Sequence, residues 1–158
     1  MTEKQQSAVQ TVNRYMWLSG AAGLVPIPLA DLVAVSGVQL KMLADLSAIY
    51  EVPFEASRGK MVIGSLVGYV LPHALSFGLI GSFIKGIPLF GTLAGEPAMA
   101  LFSAAYAWAL GSVFIQHFES GGTFLNFDPE AVKEHFRAQF EQGKHVAASM
   151  KKPEKAQA

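Results

Sequence analysis

The chain has 158 residues, 51% of them hydrophobic and 15% charged, and twelve basic groups balance twelve acidic ones. Soluble chains carry about 25% charged residues, so this one is short of them. The balance excludes an electrostatic nucleic-acid binder, which needs a basic excess, and the apolar content excludes a disordered chain.

Position is more informative than the total. Residues 1–60 hold five basic and five acidic groups, and residues 119–158 hold six of each. The 58 residues between hold one of each, Lys85 and Glu96. Two balanced polar ends therefore flank a nearly uncharged middle. There is no cysteine, which excludes disulfides, cysteine metal sites and a thiol nucleophile. The N-terminus is polar and has no signal-peptide pattern. No phosphate loop, G-x-S-x-G elbow or H-E-x-x-H helix is present, and no cofactor or metal is expected.

In chain order, residues 3–24 are predicted helical, polar at first and apolar from Tyr15 onward. Pro26 and Pro28 break the apolar run, which is too short to cross a bilayer alone. Two prolines one residue apart force an extended elbow. Pro28 suits the first turn of a second helix, predicted to reach Tyr50, and Asp31 stands near its positive end. Asp31 is a helix cap or a partner for Lys85 at a second elbow, which also holds Pro88 and Gly91.

Met61–Ile84 is a run of 24 residues without Asp, Glu, Lys or Arg, and Pro97–Phe118 is a second such run of 22. About 20 helical residues cover a bilayer core. The intervening Lys85–Glu96 segment is too rich in Gly and Pro for a long helix. Lys85 and Glu96 sit at the ends of apolar runs, where charges can snorkel to the interface. Gly64, Gly68, Ala100, Ala104 and Gly111 are candidate helix-packing positions, because small residues let membrane helices approach closely. Pro72 should kink or break its helix. The adjacent His73 is either an intramembrane polar site or a partner for a carbonyl freed by the kink. Gly121 and Gly122 close the second run. Asp128 and Pro129 start a short polar helix to about Gln142, with Val132, Phe136 and Phe140 on one stripe. From Gly143 the chain is predicted to become a fraying tail.

The stretch Gly23–Leu32, followed by Gln39, Met42 and Tyr50, resembles a bacterial family. So do Lys85, Ile87, Pro88 and Gly91, and the Tyr106–Gly111 segment running on to Gly122. The family is the domain of unknown function that accompanies or is fused to Era-like GTPases and occurs in YcjF-type inner-membrane proteins. The resemblance covers about residues 15–123 and implies a membrane protein with a separate GTPase as partner. It implies no catalytic residues.

These readings combine into an all-α membrane helical hairpin flanked by amphipathic helices. The expected parts are an elbow region over 1–60, an apolar hairpin over 61–118, an amphipathic helix over 119–145 and a flexible tail over 146–158, in one domain. Arg58, Lys60, Lys133 and Arg137 place both termini in the cytoplasm by the positive-inside rule. The expected function is a non-enzymatic inner-membrane scaffold or adaptor that contacts lipid, forms a homo-oligomer and partners a GTPase. The alternative is an oligomeric pore or lipid-handling assembly lined by Pro72, His73 and the 86–95 segment.

Overall fold

The first helix starts on a local device. Thr2 Oγ1 accepts from the Gln5 backbone N–H at 3.1 Å, and Gln5 Oε1 accepts from the Thr2 N–H at 2.9 Å. This T-x-x-Q capping box satisfies two otherwise orphaned donors. Helix α1 then runs over Glu3–Ala22. Its core face begins at Ala8 and continues through Val12, Tyr15, Met16 and Ser19, all buried. That is the helical period of one face, starting inside the polar-looking segment.

The computed structural model describes residues 2–22, 28–76 and 89–149. Among them are five helices and no strand: α1, α2 over Pro28–Ile49, α3 over Ala56–Ser76, α4 over Leu89–Glu119 and α5 over Pro129–Ser149. The all-α reading therefore stands.

Helix α2 ends in a Schellman motif. Val52 N–H donates to Ser47 O at 2.8 Å and Glu51 N–H to Ala48 O at 3.3 Å. Glu51 occupies the left-handed position with φ 57°, where glycine is usual. Its ion pair with Lys4, at 3.0 Å, is exposed on both sides and contributes little. Glu51→Gly is therefore expected to raise stability by about 1 kcal/mol in urea unfolding. A fall would show that the ion pair outweighs the backbone strain.

The same motif ends α4, with Gly121 at φ 86°. Gly122 N–H donates to His117 O at 2.9 Å. Gly121 suits that positive φ, and a Cβ on Gly122 would lie 2.3 Å from the His117 ring, so both positions favour glycine. Asp128 caps α5 by accepting from Glu130 N–H at 3.0 Å, with Pro129 in the first turn.

Three helices run further than the sequence-based expectation. Helix α5 continues past Gly143 to Ser149. Gly143 is buried, and a Cβ there would lie 2.8 Å from Ala105 O. The glycine permits a close helix crossing and does not end the helix. Helix α4 begins at Leu89, so Leu89–Glu96 is helical despite Gly91 and Gly95, and Pro97 lies inside the helix. Tertiary packing of the rest of α4 outweighs the poor helix propensity of this part. Helix α3 likewise continues past Pro72 to Ser76. Residues 77–84, the rest of the first uncharged run, lie outside the described residues.

Helix α4 is central. It packs on one side against α1 and on another against α5. Gln5 donates to Glu119 at 3.0 Å, and Val12 fills the space beside Gly111, so α1 and α4 are antiparallel. Phe136 meets Tyr106 at 5.4 Å and Phe140 meets Phe102 at 5.2 Å, so α4 and α5 are antiparallel as well. Helix α3 joins through the buried Tyr106 hydroxyl, which donates to Ile63 O at 2.7 Å. The second half of the uncharged run 97–118 is thus covered by two amphipathic helices of the same chain. Among the described residues no helix is long and apolar enough to cross a membrane.

Candidate functional site: the seam between the first two helices

The polar side chains of α1 and α2 meet in rungs that grow less charged toward the end of α1 and the start of α2. At the outer end Lys4 pairs with Glu51. Further in, Asp45 accepts from Tyr15 Oη at 2.5 Å, from Arg14 Nη2 at 3.2 Å and from Lys41 Nζ at 3.2 Å. Next comes a neutral rung, where Gln39 Nε2 donates to Ser19 Oγ at 2.9 Å. Gln39 and Ser19 are fully buried. The amphipathic period of α1 puts Tyr15 and Ser19 on one side of the helix, and the antiparallel run of α2 sets Asp45 and Gln39 against them in the same order.

Burial pushes the Asp45 carboxyl up, but the Tyr15 hydroxyl, Lys41 and Arg14 outweigh it and hold it below its ordinary value. Burial, followed by the hydrogen bond to Asp45, raises the Tyr15 phenol. The signs are opposite in consequence. The Asp45 contribution is present above its unfolded pKa of about 3.9 and is lost as pH falls through the lower folded value. The Tyr15 contribution is present below about 10 and is lost as pH rises through the higher folded value. Asp45→Asn is therefore expected to flatten the acid limb of a stability–pH curve while leaving Tyr15 neutral across the physiological range. An unchanged acid limb would place that limb in other carboxylates.

The sequence-derived positions are distributed as follows. Pro28 opens α2 and Asp31 lies three residues further on. Pro26, Lys85 and Pro88 lie outside the described residues, and so does the Asp31–Lys85 pairing. Gly91 lies in the first turn of α4, with Ala100 further along it, and Pro72 and His73 lie near the end of α3. The side-chain surroundings of these residues also lie outside what is described. Ala104 is buried, and a Cβ on Gly111 would come within 2.4 Å of Val12, so Gly111 sits at the α1–α4 crossing. Gly64 and Gly68 are exposed, with nothing among the described residues within 4 Å of a Cβ at either. Gly68 lines a groove of about 230 Å³ with Ser65, Leu66, Tyr69, Pro129, Glu130 and Lys133.

Several ordering contacts carry little sequence signal. His117 Nε2–H donates to Thr123 O at 2.8 Å and to Asn126 Oδ1 at 3.1 Å, and its ring stands edge-on to Phe127 at 4.9 Å. His135 Nε2 contacts Gln116 Oε1 at 2.7 Å. Both histidines tie α4 to the turn or helix that follows it. Among the described residues no group of three His, Cys, Asp or Glu could hold a metal ion.

A bundle that is all-helical among the described residues, with a graded polar seam between its first two helices, is the kind of protein found here. Residues 1–145 match the family described as domain of unknown function DUF697, and the chain belongs to that family. The chain is also similar to Magnetosome membrane protein 22 of Magnetospirillum gryphiswaldense. The two are 35% identical over 151 residues, covering 96% of this chain and 77% of that protein. No solved structure matches the chain. The family suggested by the Gly23–Leu32 motif is thereby established, and a membrane-associated relative stands beside it.

Proposed function

We propose that the chain is a non-enzymatic membrane scaffold that inserts one end of its bundle into the bacterial inner membrane and keeps the other in the cytoplasm. One observation carries this reading. The Lys4–Glu51 ion pair lies at the end of the bundle where residues 50–55 and 120–128 connect the helices, and the Arg14–Asp45 pair lies further in, near the middle of α1. Toward the other end, where α1 ends, α2 begins, α3 ends and α4 begins, the sequence is almost free of charge. Apolar surface collected at one end anchors by area, at roughly 25 cal/mol per Å², and neither flank has the net positive charge that would bind acidic lipid strongly. The name of the magnetosome membrane relative supports membrane association.

In this reading the 61–118 hairpin inserts at its apolar tip, and the charged termini of α1 and α5 stay on the cytoplasmic side. The exposed Gly64/Gly68 face of α3 and the adjoining groove serve self-association, because small residues allow close helix approach. A separate GTPase binds the cytoplasmic end. Alkaline carbonate extraction tests the anchor: the protein is expected in the membrane pellet, and release into the supernatant overturns the reading. A protein that runs as a strict monomer in detergent at every concentration overturns the self-association.

A further inference from the structure

Three polar side chains are buried in the bundle beyond the last charged rung of the seam. Ser19 and Gln39 are fully buried and Ser103 is 1% exposed. Gln39 uses its amide N–H on Ser19, but Gln39 Oε1 and Ser103 Oγ have no hydrogen-bond partner among the described residues.

The helix register brings the two orphaned atoms to one layer. Val12 packs on Gly111 across antiparallel helices. Two turns further along α1 is Ser19, and two turns back along α4 are Ser103 and Ala104. Ser103 also shares a face of α4 with Leu110 and Phe114, by the helical period. Helix α2 packs against α4, and the Phe118 ring, one turn beyond Phe114, meets Tyr50, the residue that follows α2, at 5.8 Å, so that face turns toward the α2 side. Gln39 of α2 and Ser103 of α4 therefore border the same interior region, with Ser19 of α1 as the third wall.

A buried amide oxygen and a buried hydroxyl without partners each lose their hydration for nothing in return. We propose that this layer is a binding site for internal water, held between Gln39 Oε1, Ser103 Oγ and Ser19 Oγ. Three neutral polar partners are the number a buried water typically uses. The absence of a carboxylate from the set disfavours a divalent cation, which takes charged oxygens. The water joins α1, α2 and α4 at one height and so fixes their register where no ion pair does. It carries the Ser19–Gln39 rung of the seam across to α4. The site is independent of the membrane reading.

The test is water-oxygen magnetic relaxation dispersion on the full chain, compared with Ser103→Ala and with the double variant Gln39→Met, Ser103→Ala. The expected result is a long-lived water contribution that falls in Ser103→Ala and is lost in the double variant, with helical circular dichroism unchanged. The thermal midpoint of Ser103→Ala should not rise, because the hydroxyl is paired through water. A dispersion identical in wild type and Ser103→Ala, together with a higher midpoint, would show a dry unpaired hydroxyl and overturn the proposal. A contribution that disappears when sodium is replaced by a bulky organic cation would assign a metal ion and overturn it as well.

Discussion

Phe114→Ala is expected to cost about 3–5 kcal/mol in chemical or thermal unfolding, the usual range for truncating a fully buried ring. Phe114 is fully buried. Its ring stacks on Phe127 at 4.4 Å with an interplanar angle of 7°, and meets Phe124 at 5.4 Å and Phe118 at 5.5 Å. Two of these partners come from the turn after α4 and one from α4 itself, so the cavity would open where the turn is fastened to the helix. Hydrogen exchange should report the damage first at residues 123–130, because Phe124 and Phe127 lose their shared neighbour. Phe114→Leu should cost clearly less, since it leaves a smaller cavity. A cost below about 1 kcal/mol would mean that this part of the uncharged run faces something other than its own chain.

The second large effect is one of sign. Alanine is a better helix former than glycine by about 1 kcal/mol. A glycine at the start of a frayed tail should therefore gain stability, or stay neutral, on replacement by alanine. Gly143 is expected to do the opposite. A Cβ there would approach Ala105 O to 2.8 Å and Ala105 Cα to 3.3 Å, and both are backbone atoms that no rotamer change can move aside. Overpacking a close crossing typically costs about 1–3 kcal/mol. Gly143→Ala should thus lower stability in spite of its propensity gain, and Gly143→Val should lower it further. An increase in the unfolding midpoint for Gly143→Ala would contradict the crossing. The comparison with Gly64→Ala is useful, because that glycine is exposed with open space around it. There the propensity gain should show unopposed.

Part of the fold was legible because it depends on near neighbours. Asp128 before Pro129, Gly121 at a helix end and Pro28 at a helix start each answer a local demand: an orphaned N–H, a positive φ, a preset φ. The α5 stripe of Phe136 and Phe140 was legible for the same reason, since one period decides which face is buried. The Thr2–Gln5 capping box has a readable spacing too, though its polar surroundings hide it. The candidate site was legible only in part. The proline elbow stands out in the sequence, whereas the partners in the seam are separated by about 20–47 residues, and no local rule joins Tyr15 to Asp45 or Ser19 to Gln39.

The uncharged middle shows the division most clearly. By itself the sequence determined that the two uncharged runs, 61–84 and 97–118, would avoid water, because no charge interrupts either of them. It also determined the family, through the proline elbow and its neighbours. Only the tertiary structure decided what covers the second half of that segment. A hydrophobic residue records that it leaves water and not what it meets. Lipid and a neighbouring helix are equally apolar, so Phe102, Tyr106 and Phe114 could belong to either surrounding on composition alone. Val12 against Gly111, and Ala105 against Gly143, settle it for the described half of α4. Two amphipathic helices, α1 and α5, turn their apolar faces inward onto that helix and carry their charges on the outside.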